Sequence, residues 1–297
     1  MDNQAEVSEF LRTRRDRLTP EQAGLIGGGR RRVVGLRREE VAMLAGMSTD
    51  YYAKMERGDL SGVSPEVLDA LARALRLDDA EIEHLHDLAR AAAPSSVRRR
   101  PRTVAPTVSA SLQSFLDAVT GAPVWVRDHR MEIVAVNPLG RALLAPILDD
   151  PTNRRNNAVF MFLNPAARTY YPDWESGADG IVATMRSYAG RDPHNKALTD
   201  LIGELVTRSD AFRVRWAAHN VRFHRSGTKR ILHPAVGDLE FAFEAMDLPA
   251  YPGWEMYAYT AEPGSPTEER MRLLGSLAAS SAHDQIPSMQ NPSGGPR

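Results

Sequence analysis

No cysteine occurs in the 297 residues, which excludes disulfides, cysteine-ligated zinc and thiol catalysis together. Long apolar runs are missing too, since no stretch approaches the roughly 18 residues of a membrane span. The opening MDNQAEVSEF lacks a basic segment followed by an apolar one, so neither a secretory signal nor a transit peptide is expected. A cytoplasmic location fits these absences. Net charge is nearly absent as well: 37 basic against 38 acidic side chains leave −1. Evenly spread, that balance would argue against a polyanionic partner. It is uneven: residues 10–57 hold 11 basic and 6 acidic side chains, and residues 58–90 hold 3 and 8. Such asymmetry predicts a basic face. Lysine is scarce, with 3 against 34 arginines, and Lys54 is the one lysine before residue 196. The length suits two domains, each able to bury a core.

From Val7 to Leu18 and from Arg37 to Ala93, apolar residues recur three and four apart, the period of helices. Ser64 before Pro65, and Asp78 with Glu81 three positions on, mark two helix starts. Residues 94–109, PSSVRRRPRTVAPTVS, combine three prolines with four arginines and read as a linker. Beyond them PVWVRD and MEIVAV predict a hairpin, and Asn137-Pro138 starts a helical stretch reaching about Ala218. Strand patterns return in VRFHR, KRILH, LEFAFEA and WEMYAYT. The expected division is a helical domain over 1–93, a linker over 94–109, an α+β domain over 110–277 and a disordered tail over 278–297.

The sharpest local pattern is RREEVAMLAGMSTDYYAKMERG, from Arg37 to Gly58. Counted from Arg38, Ala42 falls at position five, Gly46 at nine and Tyr52 at fifteen, the spacing of a helix-turn-helix. Ala42 is small where a second helix crosses, and Gly46 suits a left-handed turn. Ser48 is a good cap for the second helix. Thr49, Asp50, Tyr51 and Lys54 then face outward near its start, where base edges in the major groove are read. Lys54 suits guanine, Asp50 suits cytosine N4 and the Thr49 methyl suits thymine. For Asp50, stabilisation of the helix dipole is an equal alternative. Arg38 and Arg57 flank the pair as phosphate contacts, and Arg30, Arg31 and Arg32, after Gly27, Gly28 and Gly29, supply a further clamp.

LRREEVAMLAGMSTDYYAKMERGD resembles the repressor-like helix-turn-helix modules of the xenobiotic response element family, and the preceding arginine tract resembles the MmyB-like branch. NRRNNAVFMFLNPAARTYYPDWE, SDAFRVRWAAHNV, GTKRILHPAVGDLEF and MYAYTAEPGS resemble that branch's C-terminal ligand-binding domain. The resemblance implies a multidomain fold: an all-α repressor-like helix-turn-helix domain of five helices, then a PAS-like α+β domain with an antiparallel sheet and a pocket between helices and sheet. Tyr52 departs from the family, where Ile or Val is commoner, and implies looser packing there.

A pocket of this type has apolar walls and a few polar anchors. Trp125, Phe212 and Trp216 are candidate walls. Arg215, His219 and His233 are candidate partners for a carboxylate, with structural histidines as the plainer reading of the last two. The resemblance implies a small apolar ligand, an acyl chain leading. His219 and His224, five apart, point to different faces of a helix or a strand, so no metal site is expected. No G-x-S-x-G elbow, P-loop or dinucleotide fingerprint occurs, so no enzyme and no cofactor are expected. The reading is a sequence-specific transcription regulator that binds double-stranded DNA as a homodimer and responds to a small ligand. The alternative is a constitutive DNA-binding protein whose C-terminal domain serves only for dimerisation.

Overall fold

The structure is a computed structural model that describes residues 2–25, 35–93, 107–220 and 225–284. The first domain holds α1 (Asn3–Arg17), α2 (Arg38–Leu44), α3 (Thr49–Glu56), α4 (Pro65–Ala74) and α5 (Asp79–Ala92). The starts of α1, α3 and α5 are set by short polar side chains that accept from otherwise unpaired backbone N–H groups. Asp2 caps α1, and Ser48 caps α3 by accepting from the Tyr51 N–H at 3.2 Å. Asp78 and Glu81 make both bonds of a capping box on α5. The helical period puts Val7, Phe10 and Leu11 of α1 on one core with Val41, Tyr52, Met55, Leu68, Leu71, Leu85 and Leu88. Tyr52 is fully buried, so the larger ring is packed into the junction and the looser packing expected there is not found. Burial and the nearby Glu56 raise its hydroxyl above the usual tyrosine range, which keeps it neutral.

The second domain opens with α6 (Ala110–Ala118) and the hairpin of β1 (Val124–Arg127) and β2 (Ile133–Val136). Short helices follow: α7 (Pro138–Leu143), α8 (Ala145–Leu148), a 3-10 turn over Pro151–Asn153, α9 (Asn157–Leu163) and α10 (Ala167–Tyr170). Then come α11 (Trp174–Arg191), α12 (Lys196–Arg208), α13 (Asp210–Ala217), β3 (Ser226–His233), β4 (Gly237–Asp247), β5 (Glu255–Thr260) and α14 (Pro266–Asp284). The five strands form an antiparallel sheet in the order β2-β1-β5-β4-β3, so the helices inserted between β2 and β3 cover one face. This is the α+β architecture expected of a PAS-like domain. Alternation along each strand sends Trp125, Arg127, Lys229, Ile231, Phe241, Phe243, Tyr257 and Tyr259 to that inner face, as the register pairs Trp125 with Tyr257 and Lys229 with Phe241 confirm.

Two boundaries differ from expectation. α14 continues to Asp284, past the start expected for the tail, because Ala278, Ala279 and Ala282 are strong helix formers. The VRFHR strand falls largely on residues 221–224, which lie outside the described residues, and β3 begins at Ser226. The linker over 94–109 also falls mostly outside them.

The domains meet through α1 and α5 on one side and α11 on the other. Gly190 of α11 makes the approach possible, since a Cβ there would lie 2.7 Å from a carbon of the His84 ring.

Candidate functional site

The DNA-reading candidates sit together on the α2 and α3 pair. Gly46 takes φ +67° between the two helices, the left-handed turn its position demands. Thr49 and Asp50 are exposed in the first turn of α3, and Lys54 projects from the same helix, 3.3 Å from Asp59. Tyr51 is half-buried and packs against the domain core, so its ring supports the face as well as edging it. Arg57 ends the helix and is exposed. Met43, 62% exposed, adds an apolar side chain at the end of α2.

Arg38 is placed differently from a simple phosphate contact. Its Nε donates to the buried Glu56 carboxylate, which Arg15 also holds at 2.8 Å. Its guanidinium remains half exposed, so it is held in place by an acidic anchor rather than free to swing. Arg30, Arg31 and Arg32 lie outside the described residues.

The ligand candidates are dispersed over three places. Trp125 stacks on Tyr257 at 5.6 Å and lines a small cavity of about 30 Å³ between α9, α11 and the sheet. Phe212 and Trp216 stack on each other at 5.7 Å away from that cavity, and Arg215 is taken up by Glu175 and Asp179. His233 donates from Nε2 to the Ala142 carbonyl at 3.2 Å, accepts at Nδ1 from the Ala235 N–H, and borders a separate groove of about 740 Å³ between α7, α8 and α14. Burial holds its imidazole below the usual range.

The helical spacing expected to align Trp216 with His219 does not apply, because α13 ends at Ala217 and His219 takes a left-handed φ of +51°; what the two residues share is Arg186 at the domain junction. Arg186 stacks over the Trp216 ring at 4.0 Å, donates to the Trp216 carbonyl and lies 2.9 Å from His219 Nδ1. It also donates to the Glu6 carboxylate of α1. Burial tends to raise the Glu6 acid, but the nearby His219 and His84 rings and the Arg186 charge outweigh it and hold the group well below the usual carboxylate range. His84, fully enclosed, is kept neutral by its burial. Around this centre Arg14 pairs with Glu81 at 2.8 Å and donates to the His219 carbonyl, and Arg191 donates to Asp87 at 3.0 Å.

Sequence reasoning missed Arg127, Asn157 and Lys229, which line the small cavity with Trp125. Arg127 is neutralised there by Glu255, at 3.0 Å, and lies 4.3 Å over the Tyr257 ring. Lys229 faces Tyr171 at 4.9 Å, and burial together with the Arg127 charge lowers its ammonium to about 8. The usable signal was period two: in KRILH, Lys229 alternates with Ile231 and His233 and so shares their inward register. Among the described residues no group of three or more His, Asp or Glu is placed to hold a metal ion, and no helix is long and apolar enough to cross a membrane.

A helical module with an exposed second helix-turn-helix helix is thus joined to an α+β sheet domain. Comparison with protein families agrees with both halves. A helix-turn-helix domain family matches residues 6–85, and the family described as the MmyB-like transcription regulator ligand binding domain matches residues 108–274. Comparison with curated proteins finds no match. The chain is a DNA-binding transcription regulator with a ligand-binding domain, and it belongs to the MmyB-like family.

Proposed function

We propose that this regulator binds double-stranded DNA sequence-specifically as a cytoplasmic homodimer, performs no catalysis, and changes its DNA affinity when a small apolar ligand of the acyl class enters the C-terminal domain. Residues 1–93 read DNA, 94–109 join the domains and 110–277 sense the ligand. Thr49, Asp50, Tyr51 and Lys54 take the base edges, and Arg38, Arg57 and Arg30 to Arg32 take phosphates. Dimerisation follows from the two half-sites that such modules use.

The observation that carries ligand control is the double role of α11. Gly177, Gly180 and Ile181 form a wall of the small cavity, and Arg186, Gly190 and Arg191 on the same helix dock against α1 and α5. A ligand that shifts α11 against the sheet therefore acts on the seating of the DNA-binding domain. Differential affinity for the two seatings sets the response. Fluorescence anisotropy with an operator selected from random DNA, measured with and without decanoate, tests this. The reading predicts a ligand-dependent change in affinity that Arg186→Gln abolishes; a ligand that binds and leaves DNA affinity unchanged refutes it.

The alternative, constitutive binding with a C-terminal domain used only for dimerisation, draws on Leu273 and Leu277, which are exposed on α14 beside the apolar groove. Native mass spectrometry with thermal-shift measurements separates the two: a stable dimer indifferent to every acyl compound favours the alternative.

A further inference from the structure

His84 of α5 lies in the domain junction, 1% exposed, and neither of its ring nitrogens has a hydrogen-bond partner among the described residues. Buried polar groups are seldom left so. A structural histidine is normally tied down through its nitrogens, as His233 is by the Ala142 carbonyl and the Ala235 N–H. The His84 ring is instead held by shape. The Phe10 ring of α1 meets it edge-on at 5.0 Å, and α11 closes over it at Gly190, where a Cβ would lie 2.8 Å from Nδ1. The charged groups around it are committed to one another. From α1, Glu6 stands 3.8 Å from Nε2, outside hydrogen-bond reach, and its carboxylate is shared by Arg186 and His219, while Arg14 pairs with Glu81. On α5 itself Asp87 is held by Arg90 and Arg191. From α11 comes the Arg186 guanidinium, whose charge opposes a second one on the ring, and after α13 His219 lies against Glu6 and Arg186.

We propose that His84 is a proton-operated latch between the two domains: a neutral ring lets α11 seat against α1 and α5, and a protonated ring unseats it. A neutral imidazole fits the closed junction. A proton on it adds an N–H with no acceptor and a second positive charge beside Arg186, in a space sealed from water. Parting α11 from α1 and α5 gives that N–H water as its acceptor. The seated form is therefore the proton-poor one: burial, with the Arg186 charge, outweighs the pull of Glu6 and holds the docked ring below its ordinary 6.5. Docking is then fully present above that value and weakens as pH falls below it. Glu6, whose ordinary value is 4.5, acts over a lower range. The latch goes beyond ligand control, since it sets the seating of the DNA-binding domain by proton activity with no ligand required.

Hydrogen exchange of the full chain, read by mass spectrometry as protection relative to the intrinsic rate at each pH, tests the latch. Between about pH 7.5 and about 5.5 the undocked-to-docked ratio should rise about tenfold, because a freed histidine gains that much protonation over the interval. Protection over residues 183–191 of α11 should fall by the same factor, while β4 and β5, inside the second domain's own core, keep theirs. His84→Gln and His84→Met should each abolish the fall, and the two together keep the test informative if one of them folds poorly. His86→Gln, on the same helix but paired with Asp69 at the surface, should leave the fall intact. Equal protection at the two pH values in the natural protein overturns the proposal. So does a fall that persists in both His84 variants, which would put the trigger at another group such as His219. No fall in a protein whose operator affinity still responds to decanoate would refute the latch and leave ligand control standing; a His84-dependent fall with no decanoate response would do the reverse.

Discussion

The carboxylate of Glu6, in the first helix, accepts a hydrogen bond from the guanidinium of Arg186, 180 positions further along the chain, and both groups are buried. A buried pair of this kind adds little over an apolar contact, but removing one member strands the other charge at about 3–5 kcal/mol. Glu6→Ala should therefore separate the domains, and calorimetry should resolve one melting transition into two. A single unshifted transition would show that the pair does not hold the junction.

Acid should loosen the same junction. Glu6 is held below its ordinary value of 4.5, so the stability it contributes is present above that pH and is lost as pH falls through the acid range. His84, whose imidazole lies below its ordinary 6.5, acts in the same direction, because charging it in the unfolded chain is favoured as pH drops. Hydrogen exchange in α1 and α5 should rise below about pH 6, and Glu6→Gln should flatten the acid limb.

Gly190 allows α11 to touch His84, with 2.7 Å left for a Cβ. Gly190→Ala should push the helices apart at roughly 1–3 kcal/mol. Limited proteolysis across the linker region should accelerate, with each domain's own core unaffected.

On the reading face, Lys54→Ala should cost about 1–3 kcal/mol on the selected operator and little on random DNA. Arg57→Ala should weaken binding to all sequences and reduce the salt slope by about one. Arg38→Ala should do the same and also lower the melting temperature, because it removes a partner of the buried Glu56. Equal melting of the two arginine variants would remove the structural role assigned to Arg38.

Lys229 makes a prediction on the alkaline side. Its folded value of about 8 lies below the unfolded 10.5, so the natural protein should gain stability as pH rises between them, by at most about 3 kcal/mol. Lys229→Met should be more stable than the natural protein at pH 7 and show none of this rise. Parallel pH profiles for the two proteins would contradict the burial of a charged amine.

The reading module was legible in the sequence because its determinants are local. Ala42, Gly46, Ser48 and the apolar period lie within one short stretch, and each acts on neighbours three or four residues away. The two-domain α then α+β organisation was legible for the same reason, through period and punctuation. The sensor site was not. The spacing of Trp216 and His219 suggested one wall of a pocket, yet α13 ends between them, and what both meet is Arg186, placed by how α11 and α1 pack. Likewise period two places Lys229 inward without saying whether a carboxylate waits there.

Helical periodicity, the Ala42 and Gly46 spacing and the later strand alternation are properties of the chain alone, and they were enough to set a helix-turn-helix domain ahead of a sheet domain. It took the packing of distant segments to set Lys229 beside the Tyr171 ring, with no carboxylate partner among the described residues, and to place Arg186 between α1 and α13. Local patterns specify which face a side chain takes, whereas charge pairing and cavities are set by contacts between residues far apart in the chain, which no local pattern encodes.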